Sequence, residues 1–441
     1  MKKQVELIIE ARWLCSIIPK NTLLEYQSVV IQSGKIIDVC DTSSALMLYQ
    51  ANELVKLTEH ILIPGLINLH THAAMSLMRG LADDKPLMSW LNDHIWPAEQ
   101  AVLSEQYVQD ASLLACAEML SGGITCFNDM YFYPQATATA ANQAGIRANL
   151  GLVVLEFPTA YASDAADYLQ KGFDAHDSMR GNPLISTCIA PHAPYTVSNK
   201  TFETVLTYAE QLGLGIHTHL HETRGEIEQS QAEFGLRPLQ RLAQLGLLGP
   251  NFLAAHGVHL LDSEMDILAE YGCHIAHCPS SNLKLASGIA PIAKLLAKGV
   301  NVGLGTDGAA SNNRLDIFAE MRLSALLAKG VNEDATVIPA HQALEMATIN
   351  ASKALGLDEK VGSIEIGKFA DLTAVKLSEA GINPCYDPIS HLIYTCGREH
   401  VSHTWVAGEL RYSNGLYANI EPLELNEIII TWQVKLKSLK H

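Results

Sequence analysis

The sequence predicts an α/β fold: a (β/α)8 TIM-like barrel joined to a small β-sandwich domain formed by both chain ends. Two observations lead there. Eight short apolar runs alternate with helical stretches between residues 61 and 307, and histidines or acids stand at the ends of most of those runs. A barrel gathers its strand ends on a single face, so residues scattered over more than half the chain can surround one metal and one substrate. A doubly wound open sheet also alternates strands with helices, but it does not need a ligand or an acid at nearly every strand end.

The first sixty residues hold apolar runs of strand length, Val5 to Ile9, Ser28 to Ile31 and Gly34 to Val39, with turn residues between them. Near the other end, Val361 to Val375 separates β-like runs with glycine, and His403 to Val406 followed by Gly408 reads the same way. Residues 1–60 and 371–441 are therefore expected to share one composite β-sandwich, and 61–370 to form the catalytic barrel. The eight barrel runs are Ile61 to Leu69, Ile124 to Asp129, Arg147 to Val154, Leu184 to Ala190, Gly215 to His219, Phe252 to His256, His274 to His277 and Val302 to Asp307. Helices should fill the intervals. One example has Asp262 as N-cap, an amphipathic Met265 to Tyr271, and Gly272 as its stop.

Composition narrows the function. The 441 residues leave room for a barrel of ~250 residues plus an appendage. Acids outnumber bases by 47 to 30, and a net charge of -17 repels phosphate backbones, so nucleic acid is not expected as a partner. The nine cysteines are odd in number and dispersed, which suits reduced thiols in a cytoplasm rather than a disulfide scaffold. Charged residues interrupt the start of the chain and no run of ~18 apolar residues occurs, so neither a signal peptide nor a membrane partner is expected. A barrel enzyme of this size is compatible with a homo-oligomer.

The chemistry concentrates in a few segments. In Leu66-Ile67-Asn68-Leu69-His70-Thr71-His72, alternate side chains of a strand share a face, so His70 and His72 offer two imidazoles to one ion. The pair gains weight from later strands. His217, His219 and His221 share a strand face ahead of Glu222, and only one or two of them can be ligands, with His217 and His221 read as supporting or core histidines. Asp307 closes the eighth run and offers the carboxylate that catalytic zinc commonly adds to imidazoles. Its segment, Gly303 to Gly308, also spells G-x-G-x-x-G. A dinucleotide loop should open the first βα unit and run into a helix, whereas this one comes late and continues into Ala309-Ala310-Ser311-Asn312-Asn313. The chain has no Walker sequence and no Pro-Cys-x-x-Cys.

Together, Pro64-Gly65 with His70-Thr71-His72, Ala190-Pro191-His192-Ala193-Pro194-Tyr195, His219-Leu220-His221-Glu222-Thr223, Ala255-His256-Gly257, His277-Cys278-Pro279-Ser280-Ser281-Asn282 and Gly305-Thr306-Asp307-Gly308 closely resemble the amidohydrolase superfamily. The branch they resemble most is the methylthioadenosine/S-adenosylhomocysteine deaminase family, and the resemblance extends to Gly362 through Leu372 near the far end. It implies that His70, His72, His219 and Asp307 bind one divalent metal per subunit, usually zinc. It also implies that Glu222 shuttles protons, that His256 orients the attacking water, and that Glu99 and His192 contact a nucleoside substrate, with Glu222 and Asp307 also facing it. A binuclear branch uses a carboxylated lysine at the end of strand four, where this chain reads Cys188-Ile189-Ala190-Pro191-His192. One metal is therefore expected.

The implied reaction is hydrolytic deamination of an adenine ring. Bound zinc lowers the pKa of water to ~7, and a nearby carboxylate can deliver protons to the ring nitrogen and the departing ammonia. Glu222, three residues beyond His219, suits that task; its structural alternative is a first-turn acid of the following helix. Leu87, Met88, Trp90 and Trp96 could wall an apolar pocket or be ordinary core. Leu155 to Gln170 contains no Lys or Arg, where relatives that accept the amino-acid tail of S-adenosylhomocysteine use arginine. That favours methylthioadenosine, with adenosine next. Guanine or cytosine deamination, a triazine chlorohydrolase-like reaction and an inactive barrel scaffold are the alternatives on the same framework.

Overall fold

The computed structural model describes residues 2–438, which fall into two compact units. One holds the chain up to Ile67 with Glu118–Cys126 and Asp316–Asn419, and the other holds Asn68–Ala117, Phe127–Leu315 and the chain from Ile420 onward.

The first unit contains a mixed eight-stranded sheet drawn from both chain ends. Its N-terminal strands are Lys3–Cys15, Leu23–Gln32, Lys35–Asp41 and Tyr49–Pro64, and its C-terminal strands run from Leu372–Lys376 to Leu416–Tyr417. The join is the antiparallel pairing of Leu372–Lys376 on Tyr49–Pro64, where Leu372 faces Pro64 and Thr373 faces Ile63. Leu7, Ile9, Val29, Ile31, Leu62, Leu372 and Trp405 form its apolar core. These are alternating positions of paired strands, as a sheet buried on one side requires.

The barrel sheet holds eight strands in chain order: Leu66–Thr71, Ile124–Tyr131, Arg147–Val154, Ile185–Pro191, Ile216–Leu220, Phe252–His256, His274–His277 and Asn301–Leu304. The pairings from the third strand to the eighth are parallel. Most of these strands are buried along their whole length, the signature of a parallel sheet covered on both faces, which explains why they read as continuous apolar runs rather than alternating ones. Helices cross between them, including Pro134–Ala144, Ala165–Met179, Asn199–Leu212 and Arg224–Phe234. At the seam, the Asp307 N–H donates to the His70 carbonyl at 2.9 Å, so the chain leaving the eighth strand meets the end of the first.

That seam explains the glycine-rich segment. A Cβ on Gly305 would lie 2.7 Å from the His70 nitrogen, and one on Gly308 would lie 3.2 Å from the His72 Cβ. These glycines permit close approach of two strand ends rather than cradling a phosphate. Two local expectations shift. Asp262 is the first helical residue and Leu261 the N-cap, whose N–H is taken by the Glu264 carboxylate at 2.8 Å. Asp307 lies three residues past the eighth strand, in left-handed conformation at φ 60°. No helix among the described residues is long and apolar enough to cross a membrane.

Candidate active site

The strand ends of the barrel bring His70, His72, His219 and Asp307 together. Ligand nitrogens of the three histidines lie within 4.8 Å of one another. Asp307 Oδ1 is 3.2 Å from His72 Nε2 and 3.5 Å from His70 Nε2. The hydrogen bonds behind two of the rings fix their tautomers: His72 Nδ1 donates to the Met130 carbonyl at 2.6 Å and His219 Nδ1 to the His192 carbonyl at 2.7 Å. Each bond holds a proton on Nδ1 and aims Nε2 toward the shared centre, where the neutral ring offers a lone pair, the arrangement that metal-bound histidines adopt. His70 Nε2 is buried without a hydrogen bond of its own, a cost that a cation at this centre would relieve. The donor set, three imidazoles and a carboxylate, fits a tetrahedral or five-coordinate divalent ion.

Electrostatics agree with that geometry. Burial lowers His70 to about 4 and pulls down His219, so both favour the neutral, ligating form. Burial would raise Asp307, but the His70 and His72 rings against it hold its carboxyl well below the usual range. His72 is the counterpart: burial lowers it, yet the bond to Asp307 prevails and carries it up to about 9. Two cations thus compete for the same lone pairs, a proton and a metal ion.

The remaining candidates surround this centre. Glu222 is buried and its carboxyl is raised, first by burial. The helix after it is capped by Thr223 and begins at Arg224, so Glu222 is not part of its first turn. That place belongs to Glu226, which accepts from the Glu222 N–H at 2.8 Å and the His221 N–H at 2.9 Å. His256 sits at φ 74°, with Nδ1 bonded to Asn282 Oδ1 at 2.8 Å and Nε2 3.9 Å from Glu222 Oε2. Non-glycine residues in left-handed conformation cluster at functional sites, and here His221, His256 and Asp307 all have it just where strands end.

Seven of the candidates, His72, Glu99, His192, His219, Glu222, His256 and Asp307, line one cavity of about 640 Å³, while His70 is buried behind it. Glu99, on the helix Trp96–Val102, accepts a hydrogen bond from the Tyr131 hydroxyl at 2.5 Å, and burial pushes its carboxyl up to about 7. His192 stacks obliquely on His219 with ring centroids 4.7 Å apart, and burial lowers it to about 3. Leu87, Trp90 and Trp96 line the same cavity with Leu155 and Phe157, so the apolar wall is there, while Trp90 also joins the buried cluster around Val108 and Trp432. Met88 does not take part; it is exposed. No Lys or Arg lines the cavity among the described residues.

His217 on the fifth strand and His221 just past it lie outside the cluster of His70, His72 and His219. His217 Nε2 touches His70 Nδ1 at 3.2 Å and its Nδ1 meets Asn128 Nδ2 at 3.1 Å, beneath the site. His221 turns away, with Arg237 Nη2 at 3.3 Å and Glu264 Oε2 at 3.6 Å. Several supports went unread in the sequence: Asn128, Met130, Tyr131, Glu226, Asn282, Ser281 and Ser311. Only Glu226 left a local signal, the Thr-x-x-Glu spacing of a capping box from Thr223.

The amidohydrolase family profile matches residues 61–411. A curated 5-methylthioadenosine/S-adenosylhomocysteine deaminase from Saccharophagus degradans is 46% identical, covering 99% of this chain and 98% of its own length. One of the same name from Teredinibacter turnerae is 45% identical over 98% of both. Among solved structures, an adenosine deaminase from Xanthomonas campestris with bound zinc superposes at a TM-score of 0.98 with 42% identity, over 99% of this chain and 100% of that one. An atrazine chlorohydrolase from Arthrobacter aurescens shares the fold at a TM-score of 0.89 but only 22% identity. The matched profile spans the strand ends that carry the histidine cluster and Asp307, and this chain belongs to the amidohydrolase family.

Proposed function

We propose that the chain is a zinc-dependent aminohydrolase that converts the adenine ring of 5′-methylthioadenosine to the inosine analogue and ammonia, with adenosine as a second substrate. The observation that carries this reading is a cavity in which His72 and His219, with His70 buried behind them, Asp307 and the raised carboxyl of Glu222 share the lining with an apolar wall. The similarity to deaminases over nearly the whole chain supports it. Residues 61–370 form the catalytic domain in this reading, and 1–60 with 371–441 the composite sheet domain.

His70, His72, His219 and Asp307 would hold the ion, one per subunit. When bound, zinc supplies Lewis acidity that makes water a competent nucleophile near neutral pH. Glu222, its carboxyl raised by burial, takes a proton from the attacking water and gives it to the ring nitrogen as the oxygen adds to C6, then takes the remaining hydroxyl proton and passes it to the departing amine as the C6–N bond breaks. His256 bears its proton on Nδ1, bonded to Asn282, and so presents an accepting Nε2 toward the Glu222 side, where it orients the water. Glu99, with one oxygen occupied by Tyr131, offers the other to the ribose hydroxyls. His192 packs against the nucleoside from the far side of His219.

The cavity lining favours an uncharged 5′ substituent. Lys171, one residue past the arginine-free stretch, is committed to the Tyr161 carbonyl at 2.6 Å and Asp167 at 3.0 Å, and nothing cationic in the lining offers itself to an amino-acid carboxylate. Ammonia release and the ultraviolet shift from adenine to hypoxanthine, followed on zinc-loaded protein, test both parts. Efficient turnover of methylthioadenosine ahead of S-adenosylhomocysteine is expected; a clear preference for the latter overturns the substrate assignment, and turnover of none overturns the reaction. Glu222→Gln should retain zinc and lose about 10²–10⁴ in kcat, as removal of a general acid–base does.

A further inference from the structure

Asp307 has two carboxylate oxygens with different surroundings. Oδ1 faces the rings of His72 and His70 and also accepts the Gly308 N–H at 2.8 Å. Oδ2 accepts two hydroxyls, Ser281 Oγ at 2.6 Å and Ser311 Oγ at 2.7 Å. Both serines are buried, and they come from different places: Ser281 from the short helix Pro279–Lys284 after the seventh strand, Ser311 from the turn beyond the eighth. Ser311 also lies 3.0 Å from the Gly308 carbonyl, but it has only one proton to give, and an ionised oxygen is the stronger acceptor.

We propose that Ser281 and Ser311 are positioning residues for the metal: together they fix Oδ2, so that Asp307 can present only Oδ1 to the centre shared with the histidines. Two short hydroxyl bonds from independent elements resist rotation of the carboxylate about χ2, which one bond would not. They also spread the charge of a buried carboxylate that would otherwise rest on the metal alone. Ser281 and Ser311 thus do for Asp307 what the Met130 and His192 carbonyls do for His72 and His219. The inference rests on Asp307 being a ligand and is independent of which ring the enzyme deaminates.

The test reads zinc itself. Metal-free wild type, Ser281→Ala, Ser311→Ala and the double variant are titrated with zinc against a competing chromophoric chelator, and Asp307→Ala is titrated alongside. Losing partners that hold a ligand typically weakens affinity about 10–100-fold, so the double variant should fall in that range and each single variant below it. Ser311→Thr, which keeps the hydroxyl, should bind as wild type does. If the double variant fails to fold, the two single variants decide by the same reading. Zinc affinity within twofold of wild type in the alanine variants, with Asp307→Ala clearly weakened, overturns the positioning role. No loss in Asp307→Ala would instead overturn the ligand assignment itself.

Discussion

At the scale of residues, the site is a set of tautomers and charges prepared for partners. Glu99 illustrates the cost. Its carboxyl is buried and raised to about 7, with the Tyr131 bond opposing the rise in part. A folded-state value above the ordinary 4.5 means that stability is fully present below about pH 4.5 and is lost as pH rises through 7. Glu99→Gln removes that dependence. Denaturant midpoints at pH 5 and 8 should show wild type losing stability relative to the variant at the higher pH, while the variant's KM for nucleoside rises through the weaker acceptor. The clustering of His70, His72 and His219 was legible in the sequence because His70 and His72 stand two apart at the end of a strand and His219 recurs at a strand end. The contacts of Ser281, Ser311 and Asn282 were not, because they depend on which group each meets, Asp307 or His256 across 26 residues of chain or Asp307 around a turn.

At the scale of elements, strand ends and the turns after them do the positioning. The barrel strands were legible from their apolar runs, since burial on both faces removes the polar residues that would break the pattern. Their exact ends were less so. Leu304 ends the eighth strand and the functional residue follows in a left-handed turn, a geometry that no periodicity announces. Gly305 shows how tight that region is. Gly305→Ala puts a methyl against the His70 backbone, so the first and eighth strand ends must separate. The expected result is a loss of about 1–3 kcal/mol in unfolding free energy with weakened zinc binding, measured by denaturant melts and metal titration. Gly299, whose added Cβ meets nothing within 4 Å, is a control for space, although its φ of 87° strains any substitution.

At the scale of the whole molecule, the metal should act as a ligand of the native state alone, because the four donors proposed for it come together only in the folded barrel. A ligand at a thousandfold excess over its Kd adds about 4 kcal/mol to stability. Chelation is therefore expected to lower the thermal midpoint of wild type and to leave that of His70→Ala unchanged, as read by calorimetry with and without zinc. The sheet shared by the two chain ends was legible from its short glycine-punctuated runs. Its register, Leu372 on Pro64, was not, since nothing local links residues three hundred apart.

The bond from the Asp307 N–H to the His70 carbonyl has a temporal meaning as well. During synthesis His70 and His72 emerge long before Asp307, the carboxylate proposed to complete their site. A nascent chain can therefore offer the ion only an incomplete and weak grip. With that donor set, tight retention of metal would be reserved for chains whose last barrel strand has found the first, and occupancy would serve as a chemical record that the ring has closed.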